Sequence, residues 1–62
     1  MYKLRTYTGT LQFPTLDAAK THIDRLYQQG SIRNGHTETV EGPDGGYTGL
    51  HLSFGVVMET RF

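Results

Sequence analysis

The chain has no cysteine, no net charge and no long apolar run, and each absence closes off a class of protein. Without cysteine there is no disulfide, no thiolate zinc site and no thiol nucleophile, which fits a reducing cytoplasm. Six basic and six acidic residues cancel to a formal charge of zero. That argues against a dedicated DNA-binding protein, whose nonspecific affinity rests on an excess of Lys and Arg, and equally against an acidic DNA mimic. No apolar run approaches the roughly 20 residues of a membrane span. The opening "MYKLRTYTG" has basic residues but no apolar segment after them, so no secretory leader is expected. The expectation is a soluble, cytoplasmic protein with no membrane contact.

Sixty-two residues make a single domain, 1–62. A chain this short buries only about 60% of the surface that its unfolded form exposes, so its core leaves little margin over the entropy cost. With no disulfide or metal to staple it, oligomerisation is the expected extra support.

The first stretch, "YKLRTYTGTLQF", is rich in Thr, Tyr and Leu and reads as strand. Its apolar alternation changes phase: Leu4 is on an even position, while Tyr7, Leu11 and Phe13 are odd. A bulge or a tight turn produces such a change. Gly9 is the natural place for a bulge, and Gly9-Thr10 also suits the centre of a type II′ turn. One bulged strand is preferred, because either half alone would be short.

"PTLDAAKTHIDRLYQQG" is the clearest helix. Thr15 is placed to cap its first turn, and Asp17 sits where the helix dipole favours negative charge. Leu16, Ala19, Ile23, Leu26 and Tyr27 form one apolar stripe, and Gly30 supplies the positive φ that ends a helix. Beyond the Asn34-Gly35 turn signal, "HTETVE" is a short, polar strand, expected at a sheet edge. "GPDGGYTG" is turn chemistry leading into the long alternating tail "LHLSFGVVMETRF".

The order strand, helix, strand, strand predicts a small two-layer α+β sandwich, β-α-β-β, with one helix on one face. The helix suits a crossover between parallel first and second strands. If the long third strand lies between them, the sheet is three-stranded and mainly antiparallel, in the order 2-3-1. Leu50, Leu52, Phe54 and Val56 then face the helix, while His51, Ser53, Gly55, Val57, Glu59 and Arg61 point away. The thirteen residues from Leu50 to Phe62 would span about 43 Å at ~3.3 Å each, against a domain diameter of roughly 27 Å. The strand bends at Gly55, or breaks into a hairpin at Phe54-Gly55, where the turn chemistry is poor, or sends its end out of the domain. The last reading is preferred and predicts a homodimer or higher oligomer held by Val56, Val57, Met58 and Phe62.

Chemical motifs are sparse. His22, His36 and His51 lack metal-ligand spacing, and His36 with Glu38 on one strand face supplies two ligands, which do not make a site. The acidic residues Glu38, Glu41, Asp44 and Glu59 lie in no apolar run that would raise a carboxyl pKa for acid–base work. Ser53 in "HLSFG" does not match a nucleophile elbow, and "GPDGGYTG" lacks the order and the helix of a phosphate loop. No catalytic residue, metal or cofactor is expected. Lys3, Arg5, His51 and Arg61 would share the sheet face opposite the helix, with Val57 and Glu59 beside them. Such a basic face near an aromatic has the general form of a single-strand RNA platform, although Glu59 interrupts it.

In size and build the chain looks like the small accessory proteins of bacteriophages and other mobile elements. That resemblance implies binding to one larger host protein as an inhibitor or modulator. The expected function is therefore a non-enzymatic protein-binding module, using Lys3, Arg5, His51, Val57, Glu59 and Arg61. The alternative is a nucleic-acid-binding protein that uses the basic sheet face.

Overall fold

The computed structural model describes residues 1–6 and 8–61. Five strands and one helix follow each other as β1 (Tyr2–Thr6), β2 (Gly9–Phe13), α1 (Leu16–Gln28), β3 (Thr37–Glu41), β4 (Tyr47–Ser53) and β5 (Val56–Arg61). The strands form one sheet in the order β2-β1-β3-β4-β5, with every neighbouring pair antiparallel. The α+β class stands, but the expected three-stranded sheet in the order 2-3-1 does not.

Both long stretches turn out to be hairpins. The first folds with Thr6 paired to Gly9, so the phase change at this point marks a chain reversal and not a bulge; Tyr7 lies outside the described residues. The second folds with Ser53 paired to Val56 across Phe54 and Gly55. These two central residues have φ of 51° and 77°, and positive φ at both is what a two-residue type I′ hairpin loop demands. The tail therefore fits: two strands of seven and six residues lie within a molecule whose longest extent is 30 Å.

The polar third strand is central, flanked by β1 and β4. Its Thr37, Thr39 and Glu41 face the side away from the helix, and only Val40 enters the core. Polarity here reports a solvated sheet face; it was misleading as a sign of an edge. The parallel relation expected across the helix does exist, but between β2 and β3, with β1 inserted between them.

The helix forms where its spacing predicts. The Thr15 hydroxyl accepts a hydrogen bond from the Ala18 amide at 3.2 Å. At the other end, Gly30 (φ 77°) and Ser31 return amides to Tyr27 and Leu26 carbonyls, satisfying carbonyls that the last turn orphans. Ala19 and Ile23 are completely buried against Leu4, Val40 and Leu50. Tyr2, Phe13, Leu16, Ile32 and Val57 close the margins of this core. Leu26, one turn beyond Ile23, is only half-buried.

Candidate interaction surfaces

Alternation along each strand sorts the side chains between two faces. Leu4, Val40, Leu50 and Leu52 point to the helix and are buried. Their neighbours Lys3, Arg5, Thr39, Glu41, Tyr47 and His51 therefore share the other face, which no described element covers.

The two-residue hairpin decides what β5 adds to each face. Leu50 pairs with Glu59 and Leu52 with Val57, so even positions on β4 meet odd positions on β5. This reverses the expected assignment. Val57 turns inward and packs on the core. Glu59 turns to the helix side, where its carboxylate lies 2.7 Å from the Lys20 ammonium. Arg61 follows on the same side. Val56 and Met58, expected toward the helix or beyond it, lie on the open face with 59% and 55% of their surface exposed. Of the six residues expected in one binding face, Lys3, Arg5 and His51 stay together; Val57, Glu59 and Arg61 are on the opposite side of the sheet. Of the expected oligomer contacts, Phe62 lies outside the described residues, and the overlong strand that motivated them is replaced by the hairpin.

The open face has two unlike ends. On β1 and β2, Lys3, Arg5, Thr10 and Gln12 line a shallow concavity of about 620 Å³ that reaches Glu41 and Tyr47. Glu41 is the direct cross-strand partner of Lys3 and Glu38 also lines the concavity, so Lys3 and Arg5 are balanced by two carboxylates. On β4 and β5 the face is mixed: Val56 and Met58 are exposed along the edge among His51, Ser53 and Thr60, and Tyr47, 52% exposed, lies beyond Gly49. His51 stands beside Met58, its Nδ1 2.7 Å from the Thr37 hydroxyl.

Phe54 follows Val56 and Met58 at the hairpin tip and is 93% exposed. Sequence reasoning placed it in the core. The signal that would have found it is the Phe-Gly pair near the middle of a segment too long to be one strand. The turn is firmly held. The Gly55 amide donates to Asn34 Oδ1 at 2.9 Å, the Gly35 amide to the Leu52 carbonyl at 2.7 Å, and the Leu52 amide to the His36 carbonyl at 2.9 Å. Asn34→Ala should cost about 1 kcal/mol and loosen the tip, seen as faster amide exchange at Gly55.

On the helix side, a mostly apolar groove of about 420 Å³ opens beside α1, lined by Leu4, Arg5, Thr6, His22, Ile23, Leu26 and Glu38. His22 stacks at a tilt on Phe13, with ring centroids 5.4 Å apart. His36 and Glu38 do meet, with Nε2 and Oε1 2.6 Å apart. Among the described residues no third ligand joins them or any other pair. No helix among the described residues is long and apolar enough to cross a membrane. Comparison with protein families, with curated proteins and with solved structures finds no match for this chain.

Proposed function

We propose that this chain is a non-enzymatic protein-binding module that docks through the β4–β5 end of its open sheet face. The observation that carries this is the exposure of Tyr47, Val56 and Met58 on one rigid, pleated surface. Scattered surface hydrophobes need no explanation, but Val56 and Met58 are i, i+2 neighbours on one face of the edge strand, and adjoining exposed hydrophobes with a polar surround favour an interface. Tyr and Met are among the residues enriched there. In this reading the module acts by occupying a surface of a larger protein, as an inhibitor or modulator. The cysteine-free composition fits action in a reducing cytoplasm.

The nucleic-acid alternative has less behind it. Arg61 is not on the open face, and Glu41 opposes Lys3. Single-stranded oligonucleotides are expected to stay unbound even at low salt, where phosphate contacts are strongest.

The test is a photoreactive side chain at position 58, on the open face, compared with one at the exposed helix position Thr21. An adduct with one cellular protein from position 58, absent from position 21 and abolished by Val56→Lys, supports the reading. Equal labelling from both positions, or none, defeats it.

A further inference from the structure

The hairpin tip and the groove beside α1 are a knob and a hole on the same chain. We propose that they meet across a two-fold axis, with Phe54 of each protomer seated in the groove that Leu4, Ile23 and Leu26 line on the other. This goes beyond the binding role of the open face and does not depend on it.

The knob is the first observation. A phenylalanine at φ 51° occupies the left-handed region that bulky residues avoid, at a loop position where Asn is the favoured choice. It also exposes almost its whole ring to water. A residue unfavourable in both respects points to a role outside its own fold, since strain of this kind gathers at binding sites. The tip is pre-organised as well. Asn34 anchors the Gly55 amide, and the Tyr27 ring lies so close that a Cβ on Gly55 would be 3.6 Å from it. Little ordering entropy is then lost when the ring docks.

The hole is the second. The groove is apolar at its floor, with Leu4 and Ile23, and polar at its rim, with Arg5, Thr6, His22 and Glu38. Its roughly 420 Å³ is room enough for an aromatic ring, and no described side chain of its own chain fills it. Leu26 is half-buried because it forms one wall.

The third is their relative position. β1 and β4 are each antiparallel to β3, so they run the same way and their last residues, Thr6 and Ser53, lie at the same end of the sheet. Only β3 separates them, about 10 Å laterally at ~4.8 Å per strand, and Ser53 reaches about 10 Å farther along the strand direction, since Thr6 is level with Leu50. A two-fold axis at this end therefore brings both tips to both grooves at once. The contact is isologous and closes at two protomers, which avoids the open fibre that a head-to-tail contact would build. It supplies apolar burial to a core that is small for its chain length, and it leaves Tyr47, Val56 and Met58 free.

Sedimentation equilibrium from low micromolar to millimolar protein tests this. The parent is expected to dimerise, and Phe54→Asn to weaken dimerisation at least about 30-fold, as loss of an aromatic anchor does, while circular dichroism stays native. A benzoylphenylalanine in place of Phe54 keeps an aromatic knob; its adducts should be intermolecular and map to residues 4–6 or 22–26. A parent that remains monomeric, a Phe54→Asn dimer of parental affinity, or adducts that map elsewhere would each overturn the proposal.

Discussion

Ile23→Ala is expected to remove about 2–5 kcal/mol of stability, the range for deleting a fully buried aliphatic side chain. Ile23 has no exposed surface and sits where the helix meets Leu4, Val40 and Leu50. A domain of this length has on the order of 3–9 kcal/mol to lose. The variant should therefore be largely or wholly unfolded under conditions where the parent is native, as a collapse of the helical dichroism and an earlier urea midpoint. Leu26→Ala is the control. Leu26 carries the same apolar signal in the helix but is half-buried on the groove wall, so its loss should stay below about 2 kcal/mol. Equal losses from both would mean that the helix is rotated on the sheet. All melts belong at one low protein concentration, because association adds to apparent stability.

At the β4–β5 turn, adjacent substitutions should act with opposite signs. Gly55→Val is expected to cost about 1–3 kcal/mol, since a β-branched side chain is forced to φ 77°. Space is not the obstacle: the added Cβ would meet only the Tyr27 ring, at ordinary contact distance. The penalty is in the backbone. Phe54→Asn should instead stabilise the isolated protomer by up to about 1 kcal/mol, because Asn tolerates left-handed φ far better than Phe. Urea midpoints read both effects. A destabilised Phe54→Asn would show that the ring packs on its own chain, and a neutral Gly55→Val would place the reversal away from residues 54 and 55. Most surface changes fall within about 0.5 kcal/mol, so either deviation is easily resolved.

The helix was legible to the residue because its signals are local. Thr15, Asp17, the stripe through Ile23, and Gly30 all act within a turn or two of where they sit. The Asp44 turn was legible for the same reason; its carboxylate accepts from the Gly46 amide at 3.0 Å, within two residues. The hairpin at Phe54-Gly55 was legible only as a disfavoured alternative. Phenylalanine carries no turn preference, and apolar alternation runs through both residues almost unbroken. A two-residue reversal keeps the apparent period of two while exchanging which parity faces the core. Val57, Glu59 and Arg61 were misplaced for that reason alone.

The sequence by itself determined the α+β class, the helix with both its caps, the presence of strands on either side of it, and Ile23, Leu50 and Leu52 among the residues that fill the core. Burial of the apolar stripe and the chemistry of Thr, Asp and Gly at chain reversals act over a few residues and need no partner to be read. Only the tertiary structure decided strand number, strand order and which face each side chain of β5 occupies. It also decided that a polar strand lies at the centre and that Phe54 stands in water. Those follow from which backbone edges find each other, and hydrogen bonds between strands are made by peptide groups that every residue shares.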